Sequence, residues 1–378
     1  MKKNLRINLL KMICYLWFFI LPLGIPPFHG YAAKPAAALA ILSPQQTINI
    51  SEPVSSADQL VDILSDSLNR VCENLNLTIK NTNQWFSKEI FAQCMNRVDT
   101  KSLMVGLYYK GYNYNYTYNT ANKSALKMNI HFNYLFPRKT LLQYLKAIET
   151  KAVNIINTVI TPDMDDYQKE KALHDYIINH ARYDELNFRN NTVPAESYTP
   201  YGILIKGAGV CAGYAYTMKY LCDKAGIDCI VVSGKAEGGD HAWNIVKIGG
   251  EYYHVDLTWD DPAGKDLLRY YYFNLNDEMM AVNHRWDNKL YPKCIATEYN
   301  YYQKNNLWVA DMEECRERIE NTIAAREEKV HMQVSGFSLP VFKKNLQTVV
   351  AEQRFYGKYS YSYDEELGIV EIKFEYSD

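Results

Sequence analysis

The residues whose types and spacing could do chemistry cluster between Tyr198 and Pro262. Cys211 lies in the run Gly207-Ala208-Gly209-Val210-Cys211-Ala212-Gly213-Tyr214-Ala215, and beyond it Tyr214, Met218, Leu221 and Cys222 recur on one side until Gly226. That spacing predicts a helix with Cys211 in its first turn. Unbonded backbone N–H groups and the positive end of the helix dipole stabilise a thiolate there, and the thiolate is the nucleophilic form of cysteine. Taken alone, the segment fits a small buried cysteine at a helix start equally well.

The next segment supplies partners. Cys229–Ser233 reads as a buried strand, and His241–Ile248 and Glu251–Thr258 read as a hairpin around Gly249-Gly250. A two-residue turn sets Ile245 opposite His254, Trp243 opposite Asp256 and His241 opposite Thr258, all on one face. His241 and Asp256 are then diagonal neighbours within about 7–8 Å. A carboxylate there can accept the imidazole Nδ1–H, fix the tautomer and stabilise the imidazolium. If the Cys211 helix packs on this face, a thiol nucleophile, an imidazole base and an orienting carboxylate come together.

Each member has a plainer reading. His241 fits a hydrogen-bonded strand histidine, and His254 is a rival base farther along the same face. Asp256 fits a turn cap beside Asp260 and Asp261. The run Asp260-Asp261-Pro262 is a poor cation site, because adjacent acids do not converge. Trp243 and Trp259 fit core or cleft wall. Cys222 lies about 16 Å along the helix from Cys211 and, like Cys229, fits core.

Other elements must position these groups. A helix over Leu141–Val159 precedes a break at Thr161-Pro162-Asp163, with Thr161 as N-cap and Pro162 at the first position of a helix running to Arg182. Residues 56–140 read as helix (Asp58–Asn74), strand (Leu77–Lys80), helix (Ser87–Val98), a Tyr-alternating strand (Tyr112–Tyr118) and a further strand (Ala125–Tyr134). Residues 308–378 repeat that order, with helices over Met312–Ala325 and Val341–Gln353 and strands over His331–Val334, Tyr359–Tyr363 and Gly368–Tyr376. The repetition predicts a duplicated α+β module flanking a central domain over 141–300. Residues 33–55, rich in Ala, Pro, Ser and Gln, read as a linker.

Composition narrows the function. The 378 residues carry 41 Lys+Arg against 43 Asp+Glu and are 48% hydrophobic. That excludes wholesale disorder and gives no basic excess for nucleic acid or an anionic membrane. The 32 tyrosines fit half-exposed strands, carrying an apolar body and a polar tip. Lys2, Lys3, Arg6 and Lys11, then an apolar run from Met12 and small residues to Ala33, describe a secretory signal over 1–32, cleaved after Ala32. An uncleaved anchor is the alternative, for which the run is short. Extracytoplasmic placement, secreted or in the cell envelope, follows, with no other membrane contact. Cys14 leaves with the signal, and seven cysteines remain without a C-x-x-C pair.

At GVCAGYA around Cys211 and GDHAWNIVKIGGEYYHVDLTWDDP around His241 and Asp256, the sequence resembles the transglutaminase-like superfamily. It is most similar to an exported bacterial branch related to kyphoscoliosis-peptidase-type domains. EKALHDYIINHARYD upstream and YYFNLNDEMM with His284-Arg285-Trp286 downstream resemble the flanks of that branch. The resemblance implies an α+β fold with a papain-like core, in which a cysteine-bearing helix packs on an antiparallel sheet bearing His and Asp. It implies thiol acyl chemistry with Cys211, His241 and Asp256 as the triad, Cys211 N–H as an oxyanion donor, and Tyr198, Tyr201 or Trp243 as further oxyanion or cleft candidates. No metal or cofactor is required. The implied substrate is an amide of protein or cell-wall peptide, with hydrolysis favoured over crosslinking. A non-catalytic envelope-binding module of the same fold is the competing expectation.

Overall fold

The computed structural model describes residues 45–98, 104–118, 124–237, 239–261 and 269–377. The signal segment with Cys14, the first part of the 33–55 stretch, and Pro262 lie outside the described residues. The chain divides into two compact units, one containing residues 45–162 and 180–226, the other 163–179 and 227–377. Helices and sheets are mixed in both, the α+β class expected from the sequence.

In the first unit, strands Thr47–Asn49, Asn74–Lys80, Ala125–Tyr134 and Tyr109–Tyr118 lie side by side in that order. Period-two alternation decides which face is covered. Leu126, Met128, Ile130 and Phe132 are buried with Leu75, Leu77 and Ile79 against Leu60, Leu64, Leu68 and Phe91 of the Ala57–Asn69 and Lys88–Arg97 helices. Burying one such side chain contributes about 1.5–3 kcal/mol. The tyrosines of the edge strand close this core, with Tyr112 and Tyr114 ringing Phe91 at 5.6 and 4.8 Å. On the opposite face Asn129 donates to Asn76 (2.6 Å) and Asn76 to Asn49 (2.7 Å), a row of amides across three strands. Thr47–Asn49 therefore belongs to the sheet, and Val54 bridges to Ile79 with full burial, so the stretch read as linker is structured from residue 47. Three residues are too short to show an alternation.

In the second unit, strands Trp308–Val309, Lys329–Val334, Ile369–Tyr376 and Gly357–Asp364 repeat this arrangement. The first pair is again parallel and the rest antiparallel, with helices Met312–Ala324 and Leu339–Glu352 supplying Ile319, Phe342 and Leu346 to the core. The two segments thus share one topology, strand–helix–strand–helix–hairpin.

The second unit also holds a five-stranded antiparallel sheet, ordered Phe273–Leu275, Glu251–Val255, Gly239–Ile248, Cys229–Ala236 and His284–Arg285. Its hairpin turns at Gly249-Gly250, both with positive φ (61° and 94°), and sets Ile245 opposite His254, the expected register. The helix expected from Pro162 begins instead at Asp166 and ends at His180. Asp165 accepts from Gln168 N (2.8 Å) while Gln168 accepts from Asp165 N (2.9 Å), a reciprocal cap that outcompetes Thr161-Pro162.

That helix buries Glu170, whose Oε2 accepts from Asn274 Nδ2 at 2.9 Å, while Glu170 Oε1 and Asn274 Oδ1 have no partner. Burial pushes the Glu170 carboxyl up to about 8, against the lowering effects of Asn274 and His174. A proton on the carboxyl supplies the donor this pair lacks. Because the folded value exceeds the ordinary one, this group's stabilisation is complete in acid and is lost as pH rises toward 8. Glu170→Gln should flatten that loss. Relative to wild type, its Tm is expected to gain roughly 5 °C between pH 5 and pH 8, read by calorimetry at both values.

Candidate functional site

Asp256 and His241 are brought together within the second unit. The strand expected to reach Thr258 stops at Val255, because Asp256 Oδ1 accepts from the backbone N–H of Thr258 (2.9 Å) and Trp259 (3.3 Å) and caps the short helix Leu257–Asp260. Thr258 is consequently not opposite His241, which pairs with Gly234 on the neighbouring strand. Capping and pairing coexist, since the other oxygen, Oδ2, lies 2.6 Å from His241 Nε2. The nitrogen facing the carboxylate is therefore Nε2, not the expected Nδ1. Asp256 is fully buried, yet the charge and hydrogen bonds of His241, with those of His284, outweigh the burial that opposes ionisation and hold its carboxyl well below the usual range. An ionised carboxylate only accepts, so His241 Nε2 carries a proton, and Nδ1 is the acceptor nitrogen of the neutral ring.

The surroundings lock the imidazole. Its side chain is 8% exposed and stacks on Trp243 with ring centres 5.9 Å apart. Trp243 is 1% exposed, so it is a floor beneath His241 rather than a cleft wall. Its Nε1–H donates to His254 Nδ1 (3.0 Å), and His254 Nε2 lies 2.9 Å from Asp277. Both nitrogens of the rival base are thereby occupied. Sequence reasoning missed His284, which approaches Asp256 Oδ2 at 3.1 Å and is fully buried. The signal was the His284-Arg285-Trp286 run, which has no local pattern to mark its histidine as a partner of Asp256.

Two groups among the described residues have metal-ligand types close together. In His254, Asp277 and Cys294, an indole N–H can only donate, so His254 Nδ1 accepts and Nε2 bears the proton. That tautomer offers Asp277 a donor and a metal nothing. In His241, Asp256 and His284, the 2.6 Å contact is a hydrogen bond, since ligands about 2.1 Å from a tetrahedral ion stand roughly 3.3 Å apart. Asp260 accepts from Tyr272 N (2.9 Å) and faces His174 Nε2 (3.1 Å), so its buried carboxyl is engaged within the fold.

Cys211 lies in the first unit, at the first position of the helix Cys211–Ala225. Val210 is the N-cap residue in extended conformation, and no side chain caps this helix. The small residues around Cys211 answer to close packing. A Cβ on Gly213 would stand 2.4 Å from the Ser197 carbonyl oxygen, and Val210 N donates to that oxygen at 2.9 Å. Ser197 in turn donates to Asp184 at 3.0 Å. Cys211 is partly exposed, whereas the other six described cysteines, Cys222 and Cys229 among them, are buried and none is in a disulfide. Tyr198 is 46% exposed, and its phenol is raised by partial burial and then by the charge of Cys211. Tyr201 instead stacks on Tyr144 with ring centres 3.7 Å apart.

Residues 153–257, which include Cys211, His241 and Asp256, match the family described as the transglutaminase-like superfamily. This segment is a transglutaminase-like domain. Kyphoscoliosis peptidase from mouse is 26% identical over 154 residues, covering 36% of this chain and 23% of that protein. The human protein is 27% identical over 168 residues, covering 38% and 25%. The chain thus spans about a quarter of the length of these curated relatives. Among solved structures, a TGase aligns over 51% of this chain and 53% of its own at 15% identity and a TM-score of 0.28. A structure described as a putative cysteine protease from Cytophaga hutchinsonii aligns over 40% and 65% at 13% identity and 0.24. The matched segment contains Cys211, His241 and Asp256, and the two modules of shared topology lie outside it.

Proposed function

We propose that this chain is an exported cysteine-dependent acyl-transfer enzyme that hydrolyses amide bonds of protein or cell-wall peptide. Cys211 attacks the carbonyl carbon, its proton passing to His241 Nδ1. The tetrahedral oxyanion is held by the Cys211 N–H at the uncapped helix start, with Tyr198 as the candidate second donor. The amine leaves with the proton from His241, giving a thioester. Water, deprotonated by His241, then releases the acid and restores the thiol.

The observation that carries this reading is the pairing of His241 Nε2 with a buried, ionised Asp256 at 2.6 Å, which sets the base's tautomer and supports its imidazolium. Export follows from the basic and apolar pattern of residues 1–32. Among the described residues, no helix is long and apolar enough to cross a membrane.

The test is a peptide mixture incubated with protein and an excess of a dansylated primary amine. New amino termini should appear at Cys211-dependent rates, with little dansyl incorporation. Dansyl incorporation in place of new termini contradicts hydrolysis. Tight binding of envelope polymer without turnover contradicts the enzyme reading and favours the binding module.

A further inference from the structure

We infer that His284 is a positioning residue of this site, sharing the Asp256 carboxylate with His241 and so limiting how strongly Asp256 holds the His241 imidazolium. The inference takes its catalytic meaning from the function proposed above.

Asp256 is fully buried and accepts four hydrogen bonds. Two reach Oδ1 from Thr258 and Trp259 backbone N–H, and two reach Oδ2 from His241 (2.6 Å) and His284 (3.1 Å). His284 is held from every side. It sits on the short strand His284–Arg285, opposite Ala236. Its ring lies edge-on to Trp243 at 5.0 Å, and 4.6 Å from Trp259. Its Nδ1 meets Asn283 Oδ1 at 2.6 Å, and Asn283 Nδ2 donates to Tyr272 Oη (2.7 Å) and Glu366 (3.1 Å). A chain of contacts therefore runs from exposed Glu366 through Asn283, His284 and Asp256 to His241.

An ionised carboxylate can only accept, so the Asp256 contact requires a proton on His284 Nε2; Asn283 Oδ1, whose amide nitrogen donates elsewhere, also only accepts, so His284 serves both partners as the imidazolium and Asp256 alone as the neutral Nε2–H ring. A donor on Oδ2 draws off part of the negative charge that would otherwise face His241 alone. Substituting that donor by an apolar side chain returns Oδ2 to His241 and strengthens the imidazolium. The other groups acting on the two rings are His254, whose charge opposes protonation of His284, and Glu237, which is coupled to His241 and Glu366. Burial lowers His284 itself, against the pull of Asp256.

The experiment is an NMR titration of the His241 ring in a Cys211→Ser background, which removes the thiol and needs no turnover. His284→Leu should move the His241 midpoint up by roughly 0.5–1 unit. His284→Gln, which keeps an N–H at the Nε2 position, should leave it near wild type. An unmoved midpoint in His284→Leu, or equal shifts in both variants, overturns the inference and leaves His284 as packing. Should the Leu variant not fold, ring 15N shifts of the parent protein decide. A proton on His284 Nε2 supports the inference, and an Nδ1–H tautomer with unprotonated Nε2 overturns it. Failure of the proposed function would show differently, as turnover that survives Cys211→Ser or as no amide turnover by the wild type, while these titrations hold.

Discussion

Cys211→Ser is expected to lower kcat/KM by about 10³-fold or more with little change in Tm. Serine is nearly isosteric and the site is partly exposed, so packing is preserved. A hydroxyl is a weaker acid and a poorer nucleophile than a thiol, so its attack on an amide carbonyl asks more of the same base. The same variant should lose iodoacetamide labelling of the Cys211 peptide, while Cys72, Cys94, Cys222, Cys229, Cys294 and Cys315 stay protected by burial. Peptide mapping by mass spectrometry reads the labelling, and turnover of an amide substrate reads the chemistry. Comparable turnover in both proteins contradicts the role of the thiol.

Asp256→Ala is expected to damage both stability and activity. The fully buried carboxylate serves two imidazoles and two backbone N–H groups, so its removal leaves four donors without their acceptor. Truncating one side of a buried charged network costs about 3–5 kcal/mol. Asp256→Asn separates the two effects. One amide oxygen can serve the Thr258 and Trp259 N–H groups, but the amide nitrogen then faces His241 Nε2–H. Stability should therefore be largely retained, while kcat falls by about 10²–10⁴ through loss of the imidazole tautomer and its counter-charge. Calorimetry and kcat measured on both variants check this. Asn at wild-type activity contradicts the orienting role of Asp256.

The sequence carried much of this site in local pattern. Gly249-Gly250 between two apolar strands fixed the hairpin register, and that register put His241, Trp243, His254 and Asp256 on one face. The small residues around Cys211 marked the helix start, although the reason for them is the approach of the Ser197 carbonyl, which no local pattern encodes. Where side-chain hydrogen bonds compete with backbone propensity, the reading failed. Asp256 ended its strand by capping, and the Asp165–Gln168 pair moved a helix start four residues past Pro162. Ring orientation at His241 depends on packing against Trp243, so the choice of Nε2 over Nδ1 was not legible. His284 reaches Asp256 across 28 residues of chain, a contact that only the fold creates.

The shared topology of the two flanking modules was legible for the same reason as the hairpin. Alternating Leu126, Met128, Ile130 and Phe132 in one and Val370, Ile372 and Phe374 in the other each cover a sheet face with two helices. Their parallel edge strands, Thr47–Asn49 and Trp308–Val309, were too short to announce themselves.

The proposal that Cys211 and His241 act as one unit is tested most directly by the rate at which iodoacetamide alkylates Cys211 at pH 6, in wild type and in His241→Ala. If the imidazole accepts the thiol proton, wild type reacts at least about tenfold faster than the variant, with Asp256→Asn in between. Equal rates in all three proteins would mean that the sulfur has no partner in His241, and the catalytic account would be wrong.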